Sequence, residues 1–274
     1  MESIIQNPAL QSGVLPFVLS LLVVLALSMA GSFRAGIAVA AGLALCIALV
    51  AGFQLTPLTS TRKIILLALA AFPLGLALDL WAPARRVAAT LLAVLATGSV
   101  LWLLWPVLSR RELAEALLLG AALAAYGAWQ VVALDTLRHD SRRVLGGGLA
   151  LAFGTGVGAL FGASALLGQL GMALGAALAA PALVHFIRGG VGAGHLVAVP
   201  VALISALLGV AAHVYAKLPW TALAALALAP LLAAVPWPRR LPDRLGFVLI
   251  TLLASAASVL AVYLTWRSAG GVPL

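Results

Sequence analysis

The sequence predicts an all-α polytopic integral membrane protein, a bundle of about ten transmembrane helices with no soluble domain. Three observations carry that prediction. Charged residues make up only 8% of the 274 residues against 64% hydrophobic, where soluble domains carry about a quarter charged residues. The mean hydropathy is +1.19. The apolar runs are continuous and rich in Leu and Ala, without the alternation of barrel strands. A crossing needs roughly 20 such residues at 1.5 Å rise per residue, and a helix satisfies its own backbone in lipid.

The elements follow in order, each bounded by short Arg-bearing punctuation. Helix one is expected at 14–30, as a retained helix, because the first thirteen residues hold no Lys or Arg and no convincing cleavage site follows. Helix two falls at 36–53, three at 64–81, four at 87–108 and five at 113–135. The uncharged stretch 144–187 is 44 residues long. As helix it would span about 66 Å, which fits two crossings of a ~30 Å core, at 144–162 and 168–187, better than one; a re-entrant segment is the other reading. Helix eight is expected at 195–216, nine at 219–235 and ten at 245–266.

The formal charge of +9 invites a nucleic-acid reading, but the 16 basic residues are scattered in ones to threes at helix ends and form no folded basic face. There they meet lipid headgroups and set orientation. With ten crossings and both termini outside, the inner loops hold Arg34, Arg85, Arg86, Arg138, Arg142, Arg143, Arg188, Arg239, Arg240 and Arg244, ten of the 16. Arg62, Lys63, Arg110, Arg111, Lys217 and Arg267 then lie outside. The Ala/Leu/Gly/Arg bias points to a GC-rich bacterial genome and hence to a bacterial inner membrane. Cys46 is the one cysteine, so no disulfide framework forms within a chain.

Two echoes lie about half a chain apart. Gly75 to Trp81, with Asp79, parallels Gly209 to Tyr215, with His213; Trp105-Pro106 before Arg110-Arg111 parallels Trp237-Pro238-Arg239-Arg240. They are consistent with two five-helix halves, 1–142 and 143–274. An odd number of helices per half makes such halves inverted. Chance similarity of Ala/Leu-rich helices is the plain alternative. In size and helix count the chain resembles the ten-helix drug/metabolite transporter superfamily, which is built of five-plus-five inverted halves. The resemblance covers the whole chain, is architectural, and carries over no binding-site residue.

Chemistry-bearing residues are few. Glu112, Glu115, Tyr126, Trp129 and Gln130 share a narrow arc of helix five at 100° per residue, and Thr251, Ser255, Ser258 and Thr265 mark one side of helix ten. Facing stripes would line a polar path. Against that, Glu112 and Glu115 sit beside Arg111 at the positive end of a helix dipole, and Ser/Thr stripes serve ordinary packing. Asp79 reads either as an interfacial carboxylate paired with a snorkelling Arg85 or Arg86, or as a proton- or cation-coupling group below the carbonyl that Pro73 frees. His185 and His195 share a membrane face, with His213 at the opposite end of helix eight. No metal-ligand pattern is present, and neither metal nor cofactor is expected. Gly146, Gly154, Gly158 and Gly162 form a small-residue stripe, with Ala150, that predicts close helix packing against a partner in this chain or another.

Two functions are expected from these features. One is a secondary transporter of a small solute or ion by alternating access between two halves, with Asp79 or Glu115 coupling and Tyr126, Trp129, Gln130 and His213 along the path. The other is a non-catalytic integral subunit packed among other membrane subunits in a respiratory or photosynthetic complex. No catalytic constellation is visible, the lipid bilayer is the one certain partner class, and nucleic acid is not expected.

Overall fold

A computed structural model of the protein describes residues 7–29, 35–53, 56–236 and 242–270, and among these residues it shows ten helices and no strand. A π-helical turn at Leu10–Val14 runs into α1 (Leu15–Met29). There follow α2 (Ala35–Val50), α3 (Ser60–Trp81), α4 (Arg85–Leu108), α5 (Leu113–Asp135), α6 (Ser141–Phe161), α7 (Ala165–Arg188), α8 (Gly194–Tyr215), α9 (Trp220–Ala234) and α10 (Asp243–Ser268). The predicted helix bundle is therefore present, and 144–187 forms two full-length helices. Residues Arg34, Trp237, Pro238, Arg239 and Arg240 lie outside the described residues.

Several helices begin before their apolar stretch does, for a local reason. The Thr59 side chain accepts the Arg62 amide at 3.4 Å, so α3 starts at Ser60 and takes Arg62 and Lys63 into its first turn. Asp140 does the same for α6, accepting the Arg142 amide at 3.1 Å.

Eight helices, α1 counted with its π turn, are long and apolar enough to cross a membrane. α2 and α9, with 16 and 15 residues, are shorter. Contacts at their ends show that both still run between the two faces of the bundle. Gly36 at the start of α2 lies against Leu196 at the start of α8, and α3, which follows α2, begins beside the end of α8, where Ser60 bonds Tyr215 at 3.0 Å. Trp220 at the start of α9 stacks on His213 near the end of α8, while Ala233 near its end meets Gly147 near the start of α6. The face where even-numbered helices start is called the even end below, and the other the odd end.

α8 is the central helix, 89% buried, and packs most closely on α3, α5 and α6. α6 is 72% buried and touches α7, α8, α9 and α10. Its glycines permit this. A Cβ at Gly156 would stand 2.7 Å from the Met172 amide nitrogen of α7, at Gly148 2.9 Å from Leu178, and at Gly154 2.5 Å from Ser258 of α10. Ser258 donates to the Ala150 carbonyl at 2.6 Å. Gly146, Ala150 and Gly154 of the predicted stripe thus find their partner in α10 of the same chain, against the Thr251/Ser258 side that the sequence placed toward helix five, while Gly158 and Gly162 lie by Leu218.

Helix-interior prolines leave the carbonyl four residues earlier without its amide. At Pro106 and Pro181 a donor from another helix takes that carbonyl. Pro106 leaves Trp102, whose carbonyl accepts from buried Lys63 Nζ at 2.8 Å, with the ammonium 5.1 Å from the Trp102 ring centroid. Pro181 leaves Ala177, whose carbonyl accepts from Ser20 Oγ at 2.7 Å.

Candidate functional site

At the even end three helices meet around the start of α8. The first amides of a helix have no partner inside it, and α8 has no side-chain cap of its own. Asp79, in the last turn of α3, supplies one: its Oδ1 accepts the His195 amide at 2.8 Å and its Oδ2 the Leu196 amide at 3.0 Å. The negative group also faces the positive end of the helix dipole. Two glycines make the approach feasible. Gly194 has φ +57°, and a Cβ there would lie 2.8 Å from both Asp79 oxygens. Gly75, one turn before Asp79 on the same face, would place a Cβ 2.8 Å from the His195 carbonyl oxygen. The expected pairing of Asp79 with Arg85 or Arg86 is not formed among the described residues. Backbone amides of α8 hold both carboxylate oxygens instead.

Beside this cap lies a buried ionisable cluster. Asp135 closes α5 with 3% of its surface exposed, and His195 is 4% exposed. His195 Nδ1 and Asp135 Oδ1 are 2.6 Å apart, and Asp135 Oδ2 accepts from Arg138 Nη1 at 3.0 Å. With Asp135 ionised, Nδ1 donates to it and Nε2 is the remaining ring nitrogen. His195 lines a cavity of about 290 Å³ together with Asp79, Arg138, His139 and Gly194. An imidazole, a carboxylate and a guanidinium are thus gathered beside one cavity. Asp140, in the adjoining α5–α6 loop, is pushed up by partial burial, but the Arg142 and Arg143 guanidiniums outweigh this and hold its carboxyl below the usual carboxylate range.

The other predicted path residues are not gathered here. Glu115 is exposed at the odd end, 3.7 Å from Arg111. His213 is also at the odd end; its Nδ1 donates to the Leu218 carbonyl at 2.7 Å and its ring stacks on Trp220 at 4.1 Å. Tyr126, Trp129 and Gln130 turn toward α8 and α9. Pro230 frees the Leu226 carbonyl and opens the next turn of α9. Gln130 Nε2 donates to Leu226 O at 3.1 Å, and Trp129 Nε1 to Ala227 O at 2.9 Å. Tyr126 OH bonds Gln130 Nε2 at 3.1 Å and fits beside Gly209 of α8. Gly158 lies near Leu218, and the Gly162 carbonyl accepts the Lys217 amide at 2.8 Å. The two echoed segments accordingly make different contacts, Gly75/Asp79 with the start of α8 and Gly209/His213 with α5 and the α8–α9 loop.

Asp135 and Arg138 were missed in the sequence. An Asp at a helix end with Arg three residues on reads as a surface ion pair, and only the arrival of α8 buries it. One signal was present along the chain: Asp135, Arg138, His139, Asp140, Arg142 and Arg143 form a dense ionisable run in a protein otherwise short of charge. Among the described residues no cluster of three or more His, Cys, Asp or Glu is arranged to hold a metal. Comparison with protein-family models, curated proteins and solved structures gives no match.

Proposed function

We propose that the protein is a secondary transporter of a small solute coupled to protons at the Asp135–His195 pair. The observation that carries this reading is the burial of Asp135, Arg138 and His195 between membrane helices, opening on a polar cavity. Ionisable groups at such depth are costly and mark ion or proton paths in membrane proteins. The pair joins α5 of segment 1–142 to α8 of segment 143–274, the two units expected to move in alternating access. Protonation of Nε2 would convert the neutral ring into an imidazolium balanced by Asp135, changing the charge held at the joint.

Proteoliposomes under an imposed pH gradient, challenged in turn with sugars, amino acids, organic acids and amines while currents are recorded, test this reading. The expected outcome is a solute-evoked, proton-dependent current that Asp135→Asn abolishes and Glu115→Gln preserves. A current indifferent to Asp135→Asn, or no current with any class, overturns it.

A second reading, an integral subunit of a larger membrane complex, is favoured by one observation. An apolar groove of about 510 Å³ runs between α4 and α5, edged by Leu101, Trp105, Leu113 and Leu117, with Trp105 and Leu113 strongly exposed. Native mass spectrometry after gentle extraction separates the two readings: stoichiometric foreign subunits favour the complex, and a lone monomer or homodimer favours the transporter.

A further inference from the structure

We propose that the even-end cavity between the end of α7 and the start of α10 binds a phosphate group, presented by the headgroup of an anionic phospholipid. The cavity holds about 220 Å³ and is lined by His185, Arg188, Asp243, Arg244 and Phe247 together with the glycine turn that follows α7. It is separate from the His195 cavity and independent of the transport reading.

The donors converge from two helices. Arg244, on α10, reaches across so that its Nη2 donates to the Ile187 carbonyl at 2.7 Å. That single bond fixes the guanidinium over the end of α7 and leaves its other N–H groups unassigned. Arg188 is exposed and makes no side-chain hydrogen bond or ion pair among the described residues. His185 lines the same cavity beside them. α10 begins at the same place after Pro242, with no side-chain cap on its first amides, so the positive end of its dipole is open there. Asp243 is the one acidic group at the rim, and Arg142 Nη1 holds it at 2.8 Å. Lining this cavity and its neighbour are Arg142, Arg188 and Arg244 against Asp140 and Asp243, three positive charges to two negative. Arg in a fork geometry is the side chain suited to phosphate oxygens.

The apolar surface beside the site distinguishes a lipid from a free anion. Phe186 and Ile187 line the cavity, and Leu183 on α7 and Val248 and Leu252 on α10 are exposed further along the same two helices. A headgroup seated on Arg188 and Arg244 would leave its acyl chains along this apolar surface. Basic pockets between helices at a membrane interface bind anionic headgroups by this combination.

Native mass spectrometry of the full chain in nanodiscs of equal phosphatidylglycerol and phosphatidylcholine reads the retained lipid directly. The expected result is about tenfold selectivity for phosphatidylglycerol, falling at least fivefold in Arg188→Gln and to parity in Arg188→Gln/Arg244→Gln, as expected for a charge-assisted contact. Arg267→Gln at the odd end should leave the selectivity unchanged. Because Arg244→Gln also removes a bond to the end of α7, the exposed Arg188→Gln is the deciding variant. A second arm compares the thermal shift of delipidated protein with short-chain phosphatidylglycerol and with inorganic phosphate. Stabilisation by the lipid alone supports the proposal. Equal stabilisation by phosphate assigns the site to the free anion and overturns the lipid source. Selectivity that Arg188→Gln leaves intact overturns the site.

Discussion

Three helices of segment 143–274, α6, α7 and α8, close around a centre, while α10, 39% buried, and the helices of segment 1–142 lie along its side. α6, α7 and α8 are 72%, 67% and 89% buried, whereas α3, α4 and α5 are 39%, 39% and 44% buried, although all are similarly apolar. For α6 the difference lies in glycine placement more than in hydrophobicity. Its glycines at 147, 148, 154 and 156 lie against α9, α7 and α8, α10, and α7 in turn. Gly98 in α4 has nothing within 4 Å. In lipid there is no hydrophobic drive between helices, so close backbone approach lets α6 pack against several neighbours at once.

The largest expected effect tests this directly. Gly156→Val places a branched side chain where the α7 backbone crosses, and monodisperse protein should be lost in size-exclusion chromatography, while Gly98→Ala should keep or slightly raise the melting temperature. Equal tolerance at the two sites would break the comparison.

Next in size is the seam between the segments. Asp135→Asn leaves Arg138 and His195 without their shared carboxylate, and removal of one partner from a buried pair costs about 3–5 kcal/mol. Asp79→Ala, which only uncaps α8, should cost about 1–2 kcal/mol. Denaturant unfolding in mixed micelles orders the two, and a milder Asp135→Asn would mean that the seam does not rely on its charges.

Below Asp135→Asn and overlapping the range of Asp79→Ala are the proline carbonyls, one within the first segment and one across the seam. Lys63→Met orphans Trp102 O and Gln130→Leu orphans Leu226 O, about 1–3 kcal/mol each. Replacing the proline restores an amide, so Pro106→Ala should reduce the first cost and Pro230→Ala the second. Double-mutant cycles measure this coupling, and strict additivity would show that the donors serve another purpose.

The smallest effect concerns Asp140, in the loop joining the segments. Its carboxyl is held below its ordinary value in the folded protein, so its contribution is present at neutral pH and is lost as pH falls below the ordinary carboxylate range, about 3.9. Asp140→Asn should lower the neutral-pH plateau of a stability–pH profile slightly and flatten its acid limb, so that variant and wild type converge at low pH.

Ten helices and their order were legible because crossing a bilayer imposes a local rule on length and apolarity. Boundaries shifted by a few residues, as where Thr59 and Asp140 cap a helix early and draw Arg62 or Arg142 into its first turn, where α2 stops at Val50 and where α7 starts at Ala165. Asp79 was legible as a polar residue out of place, though not as a cap on α8, since the amides it holds lie 116 and 117 residues away. Asp135 and His195, 60 residues apart, carry no mutual signal along the chain.

The sequence by itself determined a helical membrane protein, where each helix lies, and the small-residue stripe of α6. Only the tertiary structure decided that α8 is central, that α10 fills the stripe, and that cross-helix donors take the carbonyls freed by Pro106, Pro181 and Pro230. The physical reason is range. Helix formation and membrane insertion depend on neighbours a few residues away, whereas burial and pairing of a carboxylate depend on which backbone arrives beside it.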